Sequence, residues 1–157
     1  MAETFFPVQI LLVEDDPGDE LLVTAALREA TIPVEVAVVP DGVEALAYLR
    51  RQGSYAQAAY PDLVLLDLKL PKKSGLEVLE EMKNDPALRR TPVVILTTSF
   101  TPEDIVKAYD LQASAYLTKP EDLAEFEKVV TALREFCLGV MKFPPRQGPA
   151  KPQPGAM

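Results

Sequence analysis

Five short apolar runs, separated by longer amphipathic stretches, constrain the fold of this chain more than any other feature of its sequence. The runs occupy residues 8–13, 34–39, 63–66, 93–96 and 115–117. Strands that are apolar along nearly their whole length are buried on both faces, which indicates a parallel sheet covered by helices on each side. The sequence therefore predicts an α/β domain.

The stretches between the runs begin with residues that start helices. Asp16 is followed by Pro17, a good first helical residue after an acidic N-cap. Asp41 and Glu44 have the spacing of a capping box. Five repeats of strand and helix predict a flavodoxin-like, doubly wound five-stranded parallel sheet, the (βα)5 arrangement. In such sheets function lies at the carboxyl ends of the strands.

Residues able to carry chemistry concentrate at those ends. Glu14 and Asp15 follow the first run, Asp67 the third, Thr97 the fourth and Lys119 the fifth. Clustered carboxylates repel one another unless a cation neutralises them, and an all-oxygen set with room for water favours Mg²⁺. A lysine opposite the acids can pair with a phosphoryl group. An aspartate beside both can act as a nucleophile toward a phosphoryl donor.

Most of these residues also have an ordinary structural explanation. Asp16 is best explained as a helix cap, and a single lysine such as Lys119 is usually a solvated surface residue. Asp67 is the exception, because it continues an apolar strand and a buried carboxylate without partners is costly. The combination, rather than any one residue, indicates a phosphoryl-transfer site.

Composition excludes several classes of function. The chain has no histidine, which excludes Ser-His-Asp and Cys-His nucleophile sites and imidazole metal sites. Its single cysteine, Cys137, cannot form an internal disulfide, and a reducing, cytoplasmic setting is expected. The net charge of −8 disfavours nucleic acid and anionic membranes as partners, and no run is long enough to span a membrane.

Four motifs in order resemble those of response-regulator receiver domains of two-component systems. They are the segment 11–16, which ends in three acidic residues, the strand and loop at 61–71 with Ser74-Gly75, the segment 94–98 and the segment 116–120. The resemblance covers about residues 8–138, nearly the whole predicted folded part.

The resemblance implies a role for each matched residue. Asp67 would accept a phosphoryl group from a partner histidine kinase, and Lys119 would pair with its oxygens. Thr97 would move to hydrogen-bond the phosphoryl group, and Tyr116 would turn inward behind it. The bond before Pro120 would be cis.

The resemblance also implies a Mg²⁺ site. Asp15, Asp67 and the backbone carbonyl of Lys69 would bind the ion, with Glu14 assisting through water. Glu14 stands where aspartate is common in the family. A second departure is Thr98, which is larger than the alanine or glycine often found there and would lengthen the life of the phosphoryl group.

Further segments of the sequence resemble one subgroup of this family. The start at residues 14–19, the stretch at 50–61, the segment 84–90 and the apolar end near Phe143 are similar to single-domain regulators partnered with bacterial phytochromes. The implied donor is a red-light-sensing histidine kinase.

The end of the chain bears on how a signal would leave. We expect a receiver domain at residues 1–143 and a disordered tail at 144–157, where seven of fourteen residues are Pro or Gly. No DNA-binding output domain is expected, so the signal would pass through a surface to a downstream protein that the sequence does not identify.

The fifth helix has one apolar face, from Leu123 to Cys137, and further apolar residues outside it. This predicts a homodimer through the fourth and fifth helices and fifth strand, or a chain end folded back over the core.

Three other functions fit parts of the pattern. A phosphohydrolase would use Asp67 in turnover, but such enzymes usually have a second acid where Lys69 stands. A flavin- or nucleotide-binding module suits the fold class, but Gly18 stands alone where a glycine-rich phosphate loop is needed. An adaptor without phosphorylation would not need the complete motif set.

Overall fold

Five parallel strands alternate with five α-helices along residues 6–146, the part of the chain that the computed structural model describes. The strands are β1 (Val8–Val13), β2 (Val34–Val39), β3 (Leu63–Leu66), β4 (Val93–Thr97) and β5 (Ala115–Thr118). The helices are α1 (Pro17–Arg28), α2 (Gly42–Leu49), α3 (Gly75–Lys83), α4 (Pro102–Asp110) and α5 (Leu123–Gly139), with a 3₁₀ turn at Gly53–Tyr55. The strand order β2-β1-β3-β4-β5 confirms the predicted flavodoxin-like sheet.

The apolar strands are buried on both faces because successive side chains point to opposite sides of the sheet. Leu11 and Val13 of β1 join the core that β3 and β4 share with α2, α3 and α4. Ile10 and Leu12, their neighbours in sequence, join the core with α1 and α5. All four residues of β3 are fully buried, as its central place requires.

Side-chain caps fix where the helices begin. Asp16 accepts hydrogen bonds from the amides of Gly18 and Asp19 at the start of α1, as the sequence predicts. Asp41 accepts from the amide of Glu44, so half of the expected capping box forms at α2. The other half does not form, because the Glu44 carboxylate instead accepts the Tyr55 hydroxyl at 2.5 Å.

The described end of the chain folds back over the core. Met141 and Phe143 pack against the core beneath α1 and α5. Arg146 forms two hydrogen bonds with the buried Asp62 carboxylate, at 2.7 and 3.0 Å. Arg146 belongs to the tail predicted at residues 144–157, so disorder does not begin at residue 144. Residues 147–157 lie outside the described residues, and their disorder stays a prediction.

The inward face of α5 matches its prediction except at one end. Phe126, Val130, Leu133 and Cys137 are buried, but Leu123 is exposed because it is the first residue of the helix. Among residues 6–146, none of the helices is both long and apolar enough to cross a membrane.

Candidate functional site

The sheet itself brings the predicted site residues to one edge. The amide of Asp67 donates to the carbonyl of Val13 at 3.2 Å, so the third strand stays paired with the first up to the acids. The amide of Lys119 donates to the carbonyl of Thr97 at 2.7 Å, which continues the pairing of β5 with β4. The carboxyl ends of β1, β3, β4 and β5 therefore form one rim.

Lys119 is the centre of this rim. Its Nζ donates to Glu14 Oε1 at 2.6 Å, to Asp67 Oδ2 at 2.9 Å and to Asp19 Oδ2 at 2.9 Å. The Lys119 side chain is 3% exposed, and those of Glu14 and Asp67 are 2% and 8% exposed. The alternative that Lys119 is a solvated surface residue is thus excluded, and the lysine neutralises part of a buried anionic cluster.

Burial and charge act in opposite directions on these groups. Burial raises the pKa of the Glu14 carboxyl, against the hydrogen bond and charge of Lys119, which lower it. Burial alone would lower the pKa of Lys119, but its hydrogen bonds to Glu14, Asp19 and Asp67 outweigh burial and raise it. Lys119 is therefore held as a cation at neutral pH, although it is buried.

Three of the acids form a group able to hold a metal ion. One carboxylate oxygen from each of Glu14, Asp15 and Asp67 lies within 4.8 Å of the others. Asp15 is exposed, whereas Glu14 and Asp67 are buried, so the group opens to solvent on the Asp15 side. Carboxylate oxygens suit a hard divalent cation, and the exposed side leaves room for water and phosphate ligands. The residues present therefore fit such an ion.

The backbone around Asp67 is held closely by α3. Lys69 donates its amide to Asp67 Oδ1 at 3.2 Å. Gly75, the first residue of α3, packs so closely that a Cβ there would lie 2.2 Å from the Asp67 carbonyl oxygen. The glycine after Ser74 is thus required by close approach of two backbone segments.

The predicted switch residues lie next to the cluster but are not part of it. Thr97 is fully buried, and its hydroxyl accepts the Ser99 amide at 3.3 Å. The half-buried Tyr116 donates its hydroxyl to the Ser99 carbonyl at 2.9 Å. The Ser99 hydroxyl donates to Asp104 of α4 at 2.5 Å. Both predicted switch residues therefore bind the same loop, which leads directly into α4.

A cavity of about 550 Å³ adjoins the rim on the side of this loop. It is lined by Lys69, Thr98, Phe100, Thr118, Lys119, Pro120 and Glu121. Thr98 lines this cavity and is exposed, and its effect on the life of the phosphoryl group stays a prediction. The expectation of a cis bond before Pro120 is wrong, because residues 6–146 contain no cis peptide bond.

Asp19 is the site residue that the sequence reasoning missed. Its position three residues after the Asp16 cap indicates only the first turn of α1, but its carboxylate binds Lys119, 100 residues further along the chain. One signal was available, since side chains in the first turn of a helix lean toward its N-terminus. In this fold that direction is the carboxyl end of β1, where the acids lie.

Comparison with known proteins identifies the family. The family model for the response regulator receiver domain matches residues 10–131. The chain belongs to this family. Membership makes the chain a regulatory receiver domain and not a classical enzyme, which decides against the phosphohydrolase alternative.

Similar proteins point to one subgroup of this receiver family. Response regulator Rcp1 of Synechocystis sp. is 44% identical over 138 residues, which are 88% of this chain and 94% of Rcp1. The crystal structure of the Mn(2+)-bound form of Rcp1 has a TM-score of 0.87 to this receiver at 44% identity, covering 88% of this chain and 100% of Rcp1.

Two further similar structures are those of phytochrome response regulators. The phosphorylated cyanobacterial phytochrome response regulator RcpA has a TM-score of 0.86 and 48% identity, covering 89% of this chain and 100% of RcpA. The bacteriophytochrome response regulator AtBRR has a TM-score of 0.66 and 45% identity, covering 82% of this chain and 93% of AtBRR. The predicted similarity to phytochrome-partnered regulators is confirmed.

Proposed function

We propose that this receiver domain accepts a phosphoryl group on Asp67 from a phosphohistidine of a partner kinase. The observation that carries the proposal is the position of Asp67: it is buried at the end of β3, bound by Lys119 and grouped with Glu14 and Asp15. A carboxylate in that setting combines a nucleophilic oxygen with a cation placed to meet the transferred group.

The transfer forms one bond and breaks one. A carboxylate oxygen of Asp67 attacks phosphorus, forming an O–P bond as the N–P bond of the phosphohistidine breaks. The electron pair of the broken bond stays on the imidazole nitrogen, which takes up a proton. Lys119, already a cation within 2.9 Å of Asp67, pairs with the added negative charge. Later attack by water on phosphorus releases phosphate and restores the carboxylate.

We propose that Mg²⁺ is the ion that this receiver uses. Asp15, Asp67 and the Lys69 carbonyl would hold it, and Glu14 would assist through water. The ion would supply positive charge beside the phosphoryl oxygens. The grouping of three carboxylates, with one exposed, supports this assignment.

Phosphorylation would be read out through the loop that follows β4. The Thr97 hydroxyl binds the Ser99 amide, and the Tyr116 hydroxyl binds the Ser99 carbonyl. Drawing the Thr97 hydroxyl to a phosphoryl oxygen breaks its contact with Ser99 and frees the loop to rearrange. Because Ser99 is also tied to Asp104, the change reaches the surface of α4.

The proposed donor is a histidine kinase of the phytochrome type. The similarity to RcpA, a phytochrome response regulator, and to AtBRR, a bacteriophytochrome response regulator, supports this choice. We place the exchange in the cytoplasm, where the free buried thiol of Cys137 would stay reduced.

Intact mass spectrometry tests the proposal. The receiver is incubated with Mg²⁺ and a small phosphodonor such as acetyl phosphate, with and without a chelator. We expect a gain of one phosphoryl group that needs the metal and is absent in Asp67→Asn. A gain of equal size in Asp67→Asn would contradict the assignment of the acceptor.

We also propose that two copies pair through α4, β5 and α5. An apolar cavity of about 540 Å³ lies between β5, at the edge of the sheet, and α5. Phe136, which lines this cavity, is 59% exposed, and Val140, just after α5, is 70% exposed. Burying these side chains against a second copy would remove apolar surface from water. Met141, where the chain begins to fold back, also lines this cavity, yet Phe136 and Val140 stay exposed.

Light scattering at high protein concentration tests the pairing. Phe136→Asp should shift the mass toward that of one chain. Leu21→Asp is the matched control, because Leu21 is 72% exposed on α1, away from this face. A wild-type mass of one chain, with and without phosphodonor, would overturn the proposal.

A further inference from the structure

The hydrogen bonds of Lys119 are fully committed before any phosphoryl group arrives. An ammonium group has three N–H donors. Each is taken by a different carboxylate, those of Glu14, Asp67 and Asp19. Pairing with a phosphoryl oxygen therefore requires Lys119 to give up one of these three contacts.

The three carboxylates differ in how far water can replace their hydrogen bond to Lys119. The Glu14 side chain is 2% exposed and that of Asp67 is 8% exposed, so water cannot replace the lost contact. The Asp19 side chain is 26% exposed and can be rehydrated. Loss of the lysine would leave an unpaired buried charge at Glu14. At Asp67 it would leave a buried oxygen without its partner, because the acyl phosphate keeps a carbonyl oxygen that can still accept a hydrogen bond. Asp19, which water can reach, is therefore the partner that releases the lysine.

Asp19 also lies at a place in the fold that suits a carboxylate. It lies in the first turn of α1, where the partial positive charge of the helix N-terminus favours a carboxylate. Asp16 already performs the capping, and the Asp19 amide donates to it at 3.4 Å. The Asp19 side chain is thus not needed to cap the helix, and its described hydrogen bond is to Lys119.

We propose that Asp19 is a positioning residue that holds the Lys119 ammonium in the unphosphorylated receiver and releases it to the phosphoryl group. The contact stabilises the unphosphorylated state only, so it slows phosphorylation and weakens binding of a phosphoryl mimic. No covalent bond changes in this step: one N–H···O hydrogen bond moves from Asp19 to a phosphoryl oxygen. The inference rests on the proposed function of Asp67.

Two substitutions at Asp19 and one matched control test the idea. Asp19→Ala removes the contact and Asp19→Asn keeps an oxygen acceptor without the charge. Glu20→Gln is the control, because it removes the same charge from the next residue of α1, which is not bonded to Lys119 through its side chain. All four proteins are first compared by urea unfolding, to select conditions in which each is folded.

The main readout is phosphorylation rate against acetyl phosphate concentration at saturating Mg²⁺. We expect the limiting rate constant to rise about two- to fivefold in Asp19→Ala, as for loss of a partly exposed ion pair, and less in Asp19→Asn. Affinity for fluoroberyllate, followed by fluorine NMR, should rise by a similar factor. If Asp19 acted only by repelling the anionic donor, both Glu20→Gln and Asp19→Ala would lower the donor concentration needed for half-saturation.

The outcomes separate this inference from the proposed function. If the wild-type receiver takes up no phosphoryl group, the function assigned to Asp67 fails. If the wild type is phosphorylated but Asp19→Ala matches Glu20→Gln, the inference alone fails. A slower limiting rate in Asp19→Ala would also overturn it, since Asp19 would then be aiming Lys119 at the phosphoryl group instead of holding it back.

Discussion

Replacing Gly75 with alanine should damage both the stability and the site of this receiver. The added Cβ would lie 2.2 Å from the Asp67 carbonyl oxygen and 2.7 Å from the Leu68 Cα. Heavy atoms in contact are normally about 3.5 Å apart or more, so the two segments must separate by about 1 Å. Both obstructing atoms belong to the backbone, so no side chain can rotate away. The Gly75 amide also donates to the Leu68 carbonyl at 2.9 Å, which opposes the separation.

The expected cost follows from these contacts. Overpacking of this kind costs about 1–3 kcal/mol, and rigid backbone partners place Gly75→Ala near the upper end. Alanine recovers about 0.5–1 kcal/mol over glycine in a helix, which leaves a net loss of about 2 kcal/mol. With a urea dependence of about 2 kcal/mol per molar, the unfolding midpoint should fall by about 1 M.

Gly139→Ala is the matched control for urea unfolding followed by circular dichroism. Gly139 ends α5, and a Cβ there would meet nothing within 4 Å, so the midpoint should stay level or rise slightly. Folded Gly75→Ala should also be phosphorylated more slowly, because the forced separation shifts the Asp67 backbone. A Gly75→Ala midpoint equal to that of Gly139→Ala would refute the reasoning.

Three further predictions concern other parts of the receiver. Arg146→Ala should lower the free energy of unfolding by about 1–2 kcal/mol, because the buried Asp62 carboxylate loses its cation. Arg90→Ala, at an exposed arginine, is the control and should change the free energy of unfolding little. Equal urea midpoints for the two variants would contradict the role of Arg146. Burial raises the pKa of the Cys137 thiol to about 11, so only about one thiol in a thousand is ionised at pH 8. An aromatic disulfide reagent should therefore react far more slowly with the folded receiver than with the receiver unfolded in urea. The same shift stabilises the folded state below the ordinary thiol pKa, and this contribution is lost as the pH rises toward 11. Thr98→Ala should shorten the phosphoryl lifetime several-fold by admitting water beside Asp67, and an unchanged rate of phosphate release after donor removal would count against that role.

The fold was predictable because each strand corresponds to a continuous apolar run in the sequence. The run at residues 63–66 coincides with β3, and all four of its residues are fully buried because helices cover both faces of the strand. The end of each run then located the site, since parallel strands bring their carboxyl ends to one edge. Asp67 and Lys119 could be placed together in this way without any knowledge of side-chain contacts.

The features that were missed depend on contacts between distant elements. Periodicity within α1 assigns Asp19 to a helix start and says nothing of Lys119. The spacing of Asp41 and Glu44 is that of a capping box, but it cannot show that Tyr55 competes for the glutamate. Leu123 fits the apolar period of α5, yet it lies beyond the surface that the helix covers. Local patterns therefore predict elements, while competition among partners requires the folded structure.

Locating the phosphoryl group tests the central claim most directly. The receiver is phosphorylated with Mg²⁺ and acetyl phosphate, then reduced with borohydride, which converts an aspartyl phosphate to homoserine. Peptide mass spectrometry then identifies the modified residue. The account predicts homoserine at position 67 alone, and only when both the metal and the donor were present. Modification at Asp15 or another acid, with Asp67 intact, would contradict it.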